Sequence, residues 1–92
     1  VEVVGTHWAA SAYPNPFAGT ATLAFAVQEA EPVRAVLYDL LGRAVQTVYE
    51  GTPTANAPVE VQVNGHGLAS GPYVIEIAGE RFRETQRVTV VR

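Results

Sequence analysis

Few residues in this chain can do chemistry. Its 92 residues hold one Asp, eight Glu and two His, with no Cys and no Met. Asp39 stands alone just ahead of Leu41-Gly42-Arg43. A lone aspartate before a glycine turn is expected to accept hydrogen bonds from turn amides. Glycoside hydrolysis needs two acids converging in a cleft. The eight Glu fall mostly on outward strand positions or in turns and read as a solvated face. His7 and His66 are far apart, and neither has a partner at i+2 or i+4. Zinc requires three or four convergent ligands, so no metal site is expected. Ser70, His66 and Asp39 can be written as a triad, but no nucleophile motif surrounds Ser70. Gly65-His66-Gly67 lacks the Lys and the following helix of a phosphate loop. The chain is therefore predicted to have no catalytic residue, no metal and no cofactor.

Binding chemistry is the other possibility. The six cations are all Arg and are scattered, and the formal net charge is -3, so no nucleic-acid partner is expected. The aromatics are Trp8, Tyr13, Phe17, Phe25, Tyr38, Tyr49, Tyr73 and Phe82. A row of exposed rings can hold a sugar, with Trp8, Tyr38 and Tyr49 as the candidate platform. A domain this small also needs several aromatics in its core.

The elements that must position these residues follow a period of two. Val occurs 15 times against five Leu and two Ile, and β-branched side chains suit a pleated sheet better than a helix. Leu23, Phe25 and Val27 share one face of a run, as do Val33, Ala35 and Leu37 in the next. Val59, Val61 and Val63 repeat the pattern, followed by Tyr73, Ile75 and Ile77, then Val88 and Val90. These runs are bounded by Gly, Pro or Asn. Seven strands are predicted, near 7–13, 20–27, 33–40, 44–49, 59–64, 73–78 and 82–91. Hairpin turns are expected at 41–43 and 78–81, and one short helical turn at Leu68-Ala69-Ser70. The fold class is an all-β antiparallel sandwich of immunoglobulin or fibronectin-III type. Residues 1–12 read as a linker or first-strand region. Residues 13–92 read as a single domain that begins near residue 7. No basic segment with an apolar run follows Val1, so an export signal is expected to be absent from this chain or removed earlier.

Four stretches share an order and spacing. They are Tyr13-Pro14-Asn15-Pro16-Phe17 with Thr22 to Phe25, then Val36 to Val45 around Asp39-Leu40-Leu41-Gly42-Arg43, then Gly67 to Tyr73, and finally Glu84 to Arg92. Together they resemble the C-terminal sorting domains of the type IX secretion system. The resemblance covers residues 13–92. It implies a non-catalytic, immunoglobulin-like sandwich, similar to that of flagellar hook-capping proteins, covalently linked to an upstream cargo domain. It further implies passage through the periplasm and outer membrane to the cell surface or medium. The implied partners are an outer-membrane translocon, a β-barrel shuttle and a sortase that removes the domain. The chain carries Pro72 where a β-branched residue is common in that family, and Arg87 and Arg92 where Lys is common.

On this reading Pro14, Asn15, Pro16, Phe17, Asp39, Gly42, Arg43, Gly71 and Tyr73 are expected to shape the backbone. Gly71 would permit a close backbone approach, and the Tyr73 hydroxyl would tie a loop. Arg87, Val88, Thr89, Val90, Val91 and Arg92 are the expected translocon-recognition element, because a terminal strand can present an unpaired edge to a receptor. The competing reading is that Val88 and Val90 complete the core while the arginines keep the end soluble. The rival functions are a carbohydrate-binding module and a structural spacer or adhesion sandwich.

Overall fold

A computed structural model describes residues 7–92, with the side chains of residues 7–9 outside the description. Residues 1–6 of the expected linker or first-strand region, and the Trp8 side chain named for a sugar platform, lie outside the description. Seven strands form: β1 (His7–Tyr13), β2 (Thr20–Val27), β3 (Val33–Tyr38), β4 (Ala44–Gly51), β5 (Val59–Asn64), β6 (Gly71–Ala78) and β7 (Arg83–Val90). They make two antiparallel sheets, ordered β1-β2-β5 and β4-β3-β6-β7. A constant-type immunoglobulin sandwich places its fourth strand beside the fifth. Here β4 pairs with β3 instead, and a register shift lies between Ala35 and Val36.

Alternation explains which faces meet. From one sheet Ala21, Leu23, Phe25, Val27 and Val63 turn inward; from the other, Val33, Ala35, Leu37, Ile75, Ile77, Val88 and Val90. All are buried. Phe17 joins this core from the β1–β2 loop rather than from a strand. Val36 is buried on the outer face as well. Its strand is central, and Thr47 and Glu76 flank it there as register partners. Tyr49 points inward beside Ala35 and meets Phe25 edge-on, with ring centroids 5.5 Å apart.

The structure departs from the sequence reading at several ends. Strand β3 stops at Tyr38 because Asp39 begins the turn. Strand β6 starts at Gly71 and includes Pro72. Pro72 is paired with Thr89, whose N–H and C=O point away from β6 toward residues 15 and 17. The Pro72 nitrogen therefore also points away from β7. It lies past the last β3 pair, Tyr38 with Val74, so no ladder bond is lost. No helical turn forms at 68–70; a turn closes instead by donation from Leu68 N–H to the Gly65 carbonyl at 3.2 Å.

Candidate functional site

Strand direction brings the motif residues to one pole. Strands β1, β3, β5 and β7 all run toward it, and β2, β4 and β6 run away. The loops 14–19, 39–43 and 65–70 therefore cluster there with residues 91–92. The loops 28–32, 52–58 and 79–82 occupy the opposite pole, where β1 begins.

The 39–43 turn is organised by one carboxylate. Asp39 Oδ1 accepts from Leu41 N–H at 2.9 Å and from Arg43 N–H at 3.0 Å. Asp39 Oδ2 accepts from Arg43 Nε at 2.9 Å. The Asp39 backbone accepts from Gly42 N–H and donates to the Arg43 carbonyl, each at 3.0 Å. Gly42 takes φ +82°, where a side chain would be strained. The Arg43 N–H, then its guanidinium and the Leu41 N–H, hold the Asp39 carboxyl below the ordinary value of 3.8, against an opposing desolvation penalty.

The Pro14–Phe17 loop lies along β7. Both prolines follow cis peptide bonds. Between them, Asn15 presents its amide to the strand as a backbone would. Its Nδ2 donates to the Arg87 carbonyl at 2.9 Å, and its Oδ1 accepts from Thr89 N–H at 3.0 Å. Phe17 N–H then donates to the Thr89 carbonyl, and Val91 N–H donates to the Phe17 carbonyl, both at 2.9 Å. The Phe17 ring is 1% exposed. The expectation of an unpaired edge along 87–91 is thus corrected. The Arg87 carbonyl, both Thr89 groups and the Val91 N–H are already taken, because an Asn amide carries one donor side and one acceptor that match a strand edge and the Phe17 backbone continues the match. Val88 and Val90 are buried, while Arg87, Thr89, Val91 and Arg92 are exposed.

The 65–70 loop is tied from two sides. Tyr73 Oη donates to the Ala69 carbonyl at 2.7 Å, and Arg92 Nη1 to the Leu68 carbonyl at 2.8 Å. Gly71 differs from its expected role. A Cβ placed on it meets nothing within 4 Å, so close approach is not the constraint. Its φ of +145° is, since that backbone region admits glycine almost alone.

Two carboxylates expected on a solvated face are engaged inside the fold. Glu31 is 2% exposed. Its Oε1 accepts from Glu80 N–H at 2.6 Å and Arg81 N–H at 3.0 Å, pinning the β6–β7 turn at the opposite pole. Glu84 Oε2 accepts from Ala10 N–H at 3.0 Å, linking β7 to β1. Both partners are distant in sequence, so no local pattern announces them.

Among the described residues no group of three or more His, Asp or Glu could hold a metal ion. A triad of Ser70, His66 and Asp39 is not assembled: the hydrogen bonds of the Asp39 carboxylate all go to Leu41 and Arg43 within its own turn. Tyr38 and Tyr49 face opposite sides of their sheet.

The fold and this pole define a small, loop-tied β-sandwich module whose sequence motifs gather at one end. The chain matches the secretion system C-terminal sorting domain over residues 11–91, and it belongs to that family. It is a type IX secretion sorting signal. Such a domain is typically non-catalytic, is attached to a cargo protein and implies export to the cell surface or medium through that machinery. No curated protein and no solved structure matches the chain.

Proposed function

We propose that residues 13–92, with β1, form the sorting unit, and that the translocon reads the outward side chains of the terminal strand. Arg87, Thr89, Val91 and Arg92 supply the read surface, while Val88 and Val90 seat the strand in the core. Pro14, Asn15, Pro16 and Phe17 hold its outer edge. Asp39, Gly42, Arg43, Gly71 and Tyr73 shape the neighbouring loops. The cargo joins at the far pole, where β1 enters, so the recognised end faces away from it. A sortase then removes the domain upstream of β1, and a β-barrel shuttle carries the cargo to release or anchoring.

The observation that carries this reading is the four-bond seam between residues 15–17 and 87–91. It holds an exposed, doubly basic strand end in one shape. The sugar-binding alternative is less well supported, because Tyr49 packs into the core and Tyr38 lies on the other face.

The test is export of residues 1–92 fused to a fluorescent protein that carries a signal peptide, in a host with type IX secretion. The same fusion lacking residues 87–92 is the comparison. We predict surface or medium fluorescence from the first and periplasmic retention of the second. Truncation also removes Val88 and Val90 from the core, so protease resistance must be measured alongside. Periplasmic retention of both fusions would contradict the sorting role in that host.

A further inference from the structure

The large hydrophobic side chains exposed on the described residues are Tyr13, Leu40, Leu41, Val45 and Val91, and all five lie at the motif pole or on the strand ends that lead into it. Leu40 and Leu41 are the extreme cases, at 67% and 75% exposure. Their turn does not require them. Asp39 and Gly42 set its geometry, and residue 41 contributes only a backbone N–H. Polar side chains at both positions would leave every one of those bonds in place. An apolar pair this exposed on a solvated turn marks an interaction site.

The surrounding charge is one-sided. Asp39 is the lone acid of the motif pole, and its carboxylate is spent on three donors within the turn. Arg43 gives its Nε to that carboxylate while its side chain stays 71% exposed, and Arg87 and Arg92 stand exposed toward the same pole, so the pole remains net positive. The opposite pole carries Glu29, Glu31, Glu50 and Glu80 against Arg81, which pairs with Glu29. A five-residue tip covers far less than the roughly 1,200 Å² that a stable self-association needs. It is suited to be one knob of a larger footprint.

We propose that the Leu40–Leu41 tip is a second docking contact, inserted into an apolar recess with an acidic rim on a protein of the outer-membrane secretion machinery. This inference rests on the sorting reading and extends it from the terminal strand to the β3–β4 turn. The two contacts flank the 65–70 loop and share the end of the molecule that points away from the cargo.

The test uses the same export fusion with Leu40→Ser/Leu41→Ser, and separately with Arg43→Gln. The urea midpoint of each purified chain is measured alongside. Burying one leucine side chain is worth about tenfold in an equilibrium constant. We therefore predict that the double variant loses about tenfold or more of its exported signal at an unchanged midpoint, and that Arg43→Gln loses severalfold. Export of the double variant at the wild-type level overturns the proposal, as does a lowered midpoint, which would make the leucines part of the fold. Wild-type export by Arg43→Gln contradicts the acidic rim. Wild-type chain that binds phosphatidylethanolamine–phosphatidylglycerol vesicles through the leucines overturns the protein recess in favour of a membrane surface. Failure of the wild-type fusion itself to be exported removes the sorting reading, and the docking contact with it.

Discussion

The two sheets meet along two lateral seams, and the seams are built differently. On one side, β7 meets the Pro14–Phe17 loop and β1. On the other, β4 meets β5. Both seams use a side-chain amide as a substitute strand. Asn15 bonds the Arg87 carbonyl and the Thr89 N–H. Gln46 Nε2 donates to the Asn64 carbonyl at 2.9 Å, and Gln46 Oε1 accepts from Asn64 N–H at 3.1 Å. The physical reason is shared: a strand edge alternates donors and acceptors, and a primary amide offers both. The difference is what stands behind the amide. Behind Asn15 come two backbone bonds from Phe17, its buried ring, and the Ala10–Glu84 bond. Among the described residues, the hydrogen bonds across the β4–β5 seam are those of Gln46. The chain has reinforced the edge of its terminal strand and left the other edge lightly closed. An edge strand with open backbone groups invites unwanted pairing. A strand that must be read by its side chains gains from having those groups occupied.

Breaking the strong seam at its anchor should have the largest effect. Phe17→Ala removes a buried ring and is expected to lower stability by about 3–5 kcal/mol, read from urea unfolding. A loss below about 1 kcal/mol would show that the loop is not anchored through the core. Asn15→Ala deletes two partly solvated bonds and should cost about 1–2 kcal/mol. It should also speed hydrogen exchange at the Thr89 amide while leaving the β2 amides unchanged. Gln46→Ala sharpens the contrast. It should cost about 1 kcal/mol or less, with faster exchange confined to Asn64. If Gln46→Ala proved the more damaging of the two, the ranking of the seams would be reversed.

The smallest effect should come from pH. The folded-state pKa of Asp39 is depressed. Its contribution is therefore fully present above the ordinary value of 3.8 and is lost as pH falls through the lower folded value. Wild-type chain should lose more stability on acidification than Asp39→Asn, with the difference opening below that ordinary value. Parallel pH profiles for the two chains would mean that the turn does not depend on the carboxylate charge.

Much of this architecture was legible because it is local. Period-two alternation marks Leu23, Phe25 and Val27 as one face, and those residues are buried. The glycine of the 39–43 turn and the aspartate before it define a hairpin within five residues. What was not legible depends on distant partners. Asn15 reads as a loop residue between prolines until β7, more than seventy positions away, lies beside it. Glu31 reads as solvated until the 79–82 turn folds over it and its carboxylate meets two amides. Gly71 shows a second kind of limit. Its residue type signals a backbone constraint, yet close approach and positive φ leave the same letter in the sequence. Leu40 shows a third, since extending β3 by two residues assigned an exposed turn side chain to a strand face.

The central claim is that the outward side chains of the seated terminal strand carry the sorting information. Its most direct test is export of the full-chain fusion bearing Arg87→Glu. Surface substitutions of this kind usually change stability by no more than about 0.5 kcal/mol. The account predicts a periplasmic fusion whose isolated domain unfolds at the wild-type midpoint. Export of that charge-reversed chain at the wild-type level would contradict it.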